Sequence, residues 1–148
     1  PEPVGIVESS FIKGLTSLGL SIIAGGGGGI PLVQNDDGTL SGCEAVIDKD
    51  LTSALLAKEI GASTLVILTG VERVAINYSR PEQQWLDTVS LAQMKQYYQE
   101  GHFAEGSMGP KVLAAMRFVE NSGSRAIITC LEKVVEALRG QTGTIIVA

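Results

Sequence analysis

Three stretches of this sequence combine residue types that can act on an anion. The first is "GSMGPKV", residues 106–112, which places Lys111 in the first turn of an expected helix. A cation there opposes the helix dipole by roughly 0.3–1 kcal/mol. A lysine beside free helix amides makes sense where an anion binds between them. The second is Asp48-Lys49-Asp50. Its plain reading is a helix start with a capping carboxylate and a solvated lysine; its sharper reading is that Lys49 and Asp50 stand at a phosphate site. The third is the run of five glycines from Gly25 to Gly29 in "IIAGGGGGIPL". Glycine is costly to order, so the run is either a slack linker or backbone that must come very close to something.

Neither familiar phosphate loop fits those glycines. A GxGxxG fingerprint started at Gly25 needs glycine at the position held by Ile30, and Ile30-Pro31 stand where a P-loop needs Gly-Lys-Ser/Thr. After an apolar run and before a rigid Ile-Pro, a loop whose backbone amides face an anion is the better reading. Other chemistry has little support. His102 is the only histidine, so no Ser/His/Asp set and no usual zinc site can be assembled. Cys43 and Cys130 lie far apart outside any CxxC pattern, read as small apolar packing residues, and fit a reducing, cytoplasmic setting. Trp85, Tyr97, Tyr98 and Phe103 read as packing residues.

Composition narrows the classes. Hydrophobic residues make up 45% and charged residues 18% of 148, a globular composition with enough chain for a core. The net charge of −5, without a basic stripe, argues against nucleic-acid binding. No apolar run approaches the roughly 20 residues of a membrane-spanning helix. The chain opens on Pro1 and "PEPVGIVES", with no obvious strand to begin a fold, so a longer parent protein is expected.

The elements that must position these residues follow from periodicity. "GIVESSFIKGLTSLG" predicts a short helix, and "LSIIAGGG" a buried strand ending in the glycines. Asp37-Gly38 predicts a hairpin turn. Asp48 or Asp50 caps a helix running to about Ile60, with Gly61 as its stop. "STLVILTG" reads as a buried strand, "ERVAINY" as a short one, and "SLAQMKQYYQEG" as a helix from a Ser90 cap to Gly101. "GPKVLAAMRFVENSG" is a helix with Pro110 at its first position and Val112, Ala115, Met116 and Val119 as its buried stripe. "SRAIITC", "LEKVVEALRG" and "GTIIVA" complete the chain as strand, helix and strand. The alternation predicts an α/β sheet with helices on both faces and ligands at the C-terminal strand ends.

Together "AGGGGGIP", "EAVIDKDL" with "ALLA", "VILTGVERV", "EGHFAEGSMGPKV" and "GTIIV" resemble carbamate kinase, of the amino-acid kinase superfamily, in the family's order and over essentially the whole chain. "IDKDL" and "GSMGPK" are the specific pair. The resemblance implies a three-layer αβα sandwich with a mainly parallel sheet. Residues 1–148 would be a single partial domain, the C-terminal, nucleotide-binding half of that fold. It implies reversible phosphoryl transfer between carbamoyl phosphate and ADP, giving ATP and carbamate, with Mg²⁺ bridging the nucleotide phosphates.

Residue by residue, the resemblance implies a catalytic set of Lys111, Asp50 and Lys49. Lys111 draws charge from the transferring phosphoryl group, Asp50 holds the lysines in place, and Lys49 lies near the nucleotide phosphates. Thr69, Val71, Val74 and Tyr78 fall in the adenine and ribose segment, Met108 covers the base, and Gly26, Gly27, Gly28 and Gly29 form the loop beside the phosphoryl group. No metal ligand from the protein is implied. A homodimer, a cytoplasmic setting, a place in arginine metabolism, and an N-terminal half in the same or another chain are implied too; this chain alone is expected to be inactive. Two departures stand out: the family's first glycine-rich loop and its lid are absent, and "LTGVERV" carries Gly70 and Glu72 where related kinases often carry an aspartate. A non-catalytic nucleotide-binding or regulatory module, and a related kinase with another acyl or amino-acid substrate, are the alternatives.

Overall fold

The computed structural model describes residues 1–148, with five α-helices and eight strands. Helix α1 spans Ser9–Ser17. Strands β1 (Leu32–Gln34) and β2 (Leu40–Gly42) pair antiparallel around the expected Asp37-Gly38 turn. There Gly38 takes a φ of 83°, and the Asp37 carboxylate accepts from the backbone and hydroxyl of Thr39. Helix α2 (Lys49–Ile60) starts where Asp48 accepts hydrogen bonds from the amides of Asp50 and Leu51. It ends at Gly61, whose φ of 76° suits glycine.

Strand β3 (Thr64–Thr69) is followed by the small antiparallel pair β4 (Ala75–Ile76) and β5 (Gln84–Trp85), and then by β6 (Thr88–Ser90). Ser90 caps α3 (Leu91–Gln99) through a capping box with Gln93. Helix α4 (Met108–Ser122) begins two residues before Pro110, which is its third residue rather than its first. Proline is tolerated there because first-turn amides have no partner within the helix. Strand β7 (Arg125–Cys130), a 3₁₀ turn at Leu131–Lys133, α5 (Val134–Leu138) and β8 (Thr144–Val147) close the chain.

The central sheet has the order β3-β7-β8-β6. Its β3–β7 and β6–β8 pairs are parallel and only β7–β8 is antiparallel. One face of β7 presents Ala126 and Ile128 to a core that includes Val112, Ala115, Phe118 and Val119 of α4 and Met94 of α3. The other presents Ile127 and Thr129 toward Ala137 of α5, around Gly143. Helices therefore cover both faces, and the α4 stripe is buried as its periodicity predicts.

Two expectations fail for one physical reason. Residues 20–27 form no strand, and Leu20 and Ile23 are exposed. A strand exists through hydrogen bonds to a neighbour, and no strand of this chain pairs there. Strand β3 was expected to be buried on both sides, yet it is an edge strand: Leu65 and Ile67 are buried while Leu68 is exposed. In α1, Ile12 is buried but Phe11 faces outward, as does Leu18 just after the helix.

Candidate functional site

Helices α2 and α4 pack side by side, and their N-terminal turns carry the charged residues of the site. Lys111, in the first turns of α4, places its Nζ 2.9 Å from Oδ2 of Asp50 in the first turn of α2. Lys49 Nζ lies 3.6 Å from the same oxygen. The pair is largely out of solvent, with side-chain exposures of 16% for Lys111 and 11% for Asp50, whereas Lys49 is 57% exposed. One buried carboxylate thus orients two ammonium groups. The Asp48 carboxylate is turned onto the α2 amides, so the trio of Lys49, Asp50 and Lys111 carries one more positive than negative charge.

The trio lines a cleft of about 830 Å³. Thr69, Val71, Tyr78 and Met108 line the same cleft, as do Arg73, Asn77, Arg80 and His102. Seven of the residues singled out in the sequence therefore gather around one cavity: Lys49, Asp50, Thr69, Val71, Tyr78, Met108 and Lys111. Val74 does not join them. Its side chain has no exposure and packs in the core, while its amide donates to Thr144 Oγ1.

The glycine loop lies beside the start of α2 rather than in the lining of the cleft. None of Gly26, Gly27, Gly28 and Gly29 lines the cleft. Gly28 is buried against the lead-in to α2: a Cβ there would fall 2.0 Å from the Ile47 carbonyl oxygen. Its own carbonyl accepts from Thr52 Oγ1 at 2.8 Å. The close approach that the run demanded is thus to this chain's own backbone, next to Lys49. The amides of Gly26, Gly27 and Gly29 donate to no acceptor within the chain, so the loop holds unpaired donors beside that lysine.

At α4, the free amides expected from sequence shrink to one. Ser107 and Gly109 both donate to the Ala104 carbonyl, and Pro110 has no amide hydrogen. The Met108 amide is the first-turn donor that remains. A Cβ at Gly109 would stand 3.0 Å from the Ala104 oxygen, close enough that the neighbouring backbone would have to shift by a few tenths of an ångström.

Gly70 and Glu72 part company. Gly70 lines the cleft, and a Cβ there would meet nothing within 4 Å. Glu72 does not line it; its carboxylate accepts the Thr142 hydroxyl. Sequence reasoning missed Arg73, Asn77 and Arg80. The signals available were two arginines in the polar stretch following β3 and Arg80 placed before Pro81. No group of three or more His, Cys, Asp or Glu side chains gathers that could hold a metal ion.

This geometry can hold an extended polyanion, with Lys49, Lys111, Arg73 and Arg80 as cations and Tyr78, His102 and Phe103 as aromatic lining. The amino acid kinase family profile matches residues 3–130. The chain belongs to the amino acid kinase family. This family member is 52% identical, over 147 residues, to carbamate kinase from Thermococcus kodakarensis, covering 99% of this chain and 46% of that protein. It is 53% identical over 147 residues to the carbamate kinase-like protein YahI of Escherichia coli, again covering 99% and 46%. Carbamate kinase from Giardia lamblia bound to AMP-PNP superposes with a TM-score of 0.96 at 44% identity, over 99% of this chain and 46% of that one. The chain therefore spans about half the length of the relatives it matches.

Proposed function

We propose that this chain supplies the nucleotide-binding half of a carbamate kinase-like phosphotransferase. The reaction is reversible phosphoryl transfer between carbamoyl phosphate and ADP, giving ATP and carbamate. The observation that carries it is the Lys111–Asp50 pair, 2.9 Å apart, lining the cleft with Lys49 beside it. The likeness to carbamate kinases over nearly the whole chain supports the choice of substrate, and the AMP-PNP complex of the Giardia lamblia enzyme supports nucleotide as its partner.

In this reading the attacking group is a terminal phosphate oxygen of ADP. The new bond forms to the phosphorus of carbamoyl phosphate, and the bond from that phosphorus to the carbamate oxygen breaks. Little covalent work falls to the protein, so positioning and charge stabilisation dominate. Lys111, fixed by Asp50, faces the transferring phosphoryl group and takes up the charge that develops on its oxygens. Lys49 holds the nucleotide phosphates. Tyr78, Val71 and Met108 flank the base and sugar. Magnesium would enter with the nucleotide as MgADP and would add positive charge at its phosphates, beside Lys49 and Lys111.

The carbamoyl phosphate side would come from an N-terminal half in the same or another chain, in a homodimer. The test is ATP formation from carbamoyl phosphate and MgADP by the parent protein, in a coupled assay. Lys111→Ala is expected to lower kcat by about 100- to 1,000-fold. Absence of wild-type turnover, with Lys111→Ala binding nucleotide as wild type does, would overturn the reading.

A further inference from the structure

We infer that His102 is a positioning residue for the nucleotide end of the cleft: its Nδ1 holds the Asn77 amide and so fixes the turn that presents Tyr78 and Arg80. The inference deepens the nucleotide reading of this cleft and rests on it.

The turn starts directly after β4. Asn77 has a φ of 51° and Ser79 a φ of 60°. Both are left-handed conformations that an L-residue adopts at a cost, although asparagine tolerates them better than most. Such backbone persists only where its surroundings hold it. Most of the restraints are internal to the hairpin. The Ser79 amide donates to Gln83 Oε1 at 2.8 Å, Asn77 Nδ2 to the Glu82 carbonyl at 3.4 Å, and the Arg80 amide to the Asn77 carbonyl at 3.0 Å. One hydrogen bond of this turn leaves the hairpin. It runs from the Asn77 amide to Nδ1 of His102, at 3.4 Å, across to the segment between α3 and α4.

That bond constrains the histidine. Nδ1 can accept only if it carries no hydrogen, so the ring hydrogen sits on Nε2. Nε2 lies 3.1 Å from Oε2 of Glu100, which accepts it. The ring is wedged edge-on against Tyr97, with centroids 5.8 Å apart, and is only 19% exposed. Glu100 therefore sets the tautomer, the tautomer provides an acceptor, and the acceptor ties one wall of the cleft to the other. At 3.4 Å the bond is long, as site hydrogen bonds often are before a ligand closes on them. A histidine that merely fills space would not need a particular tautomer.

Because His102 is the only histidine, the imidazole ¹⁵N spectrum of the labelled chain reads it without ambiguity. It should report hydrogen on Nε2 and a bare Nδ1. His102→Phe keeps the ring and removes the acceptor; amide exchange at Asn77 should then rise about tenfold and MgADP affinity fall about tenfold. His102→Asn, whose Oδ1 replaces Nδ1, should recover both. A spectrum with hydrogen on Nδ1, or a folded His102→Phe with wild-type exchange and affinity, overturns the inference. If the Phe variant does not fold, the tautomer and the Asn variant still decide it. If wild type binds no MgADP, the nucleotide reading fails, while tautomer and Asn77 exchange still judge the role of His102.

Discussion

Asp50 and Lys111 stand sixty-one positions apart in the chain and meet through a 2.9 Å contact between Oδ2 and Nζ. The contact joins the first turns of two helices, and its low exposure separates it from surface ion pairs. Removing one partner strands the other charge away from water. Asp50→Asn and Lys111→Met are each expected to destabilise the chain, by about 1–3 kcal/mol, and a double-mutant cycle should return a coupling of similar size. Lys49 offers the contrast. It approaches the same oxygen at 3.6 Å but is mostly exposed, so Lys49→Met should shift stability by less than about 0.5 kcal/mol while weakening MgADP binding. Chemical denaturation and calorimetry check both halves. Additive single-mutant effects would show that Asp50 and Lys111 do not act as a unit.

Gly28 and Gly27 are neighbours in one glycine run and should respond very differently to alanine. At Gly28 the φ is 131°, and a Cβ would stand 2.0 Å from the Ile47 oxygen. At Gly27 there is open space and no positive φ. Gly28→Ala is expected to cost about 3 kcal/mol or more, because either the loop or the start of α2 must move. Gly27→Ala should lie within about 0.5 kcal/mol of wild type. Thermal melts of the two variants compare them directly, and equal effects would mean that the close approach at Gly28 does not exist.

The hairpin of β1 and β2 gives a pH signature. The Thr39 hydroxyl, and then the Thr39 amide, hold the Asp37 carboxyl below the usual carboxylate range. A lowered folded-state value means that the folded chain favours the ionised form. The contribution is therefore complete above the unfolded carboxylate's range, about pH 4, and fades as the pH falls through the lowered value. The stability difference between wild type and Asp37→Asn should be fully present near pH 7 and shrink as the pH falls below about 4. Melts across that range measure it. A difference that persists undiminished at low pH would assign the effect to something other than the carboxylate charge.

Local signals made much of this fold legible. The Asp48 cap and the Gly61 stop bound α2, the Ser90 box starts α3, and Asp37-Gly38 turns the hairpin, each through chemistry within a few residues. The apolar stripe of α4 also needed only its period. What stayed illegible depends on distant partners. Leu20 to Ala24 has the composition of a buried strand and lacks a neighbour to pair with, whereas the three residues of β6 become a strand only by pairing with β8. At the site, residue types pointed to an anion, but their spacing alone did not bring Lys111 to Asp50; the family resemblance did that. Val74 shows the limit of the carry-over. It lies within the matching segment, yet its side chain faces the core.

Gly70 and Glu72 test how the two sides of the turn after β3 divide their work. Both stand in the segment that the proposed function gives to the sugar of a nucleotide. Glu72 accepts from Thr142 and stays out of the cleft, so it ties the turn to the loop before β8. Glu72→Ala should destabilise the chain by about 1 kcal/mol and leave MgADP affinity unchanged. Gly70 needs no unusual backbone and has no atom near its missing Cβ, so the fold does not require glycine there. What a side chain at that position would occupy is the cleft itself. Gly70→Leu should therefore keep wild-type stability to within about 0.5 kcal/mol and lower MgADP affinity by filling that space. Paired melts and calorimetry separate the roles. Nucleotide binding lost in Glu72→Ala, or unaffected in Gly70→Leu, would place the sugar elsewhere along the cleft wall.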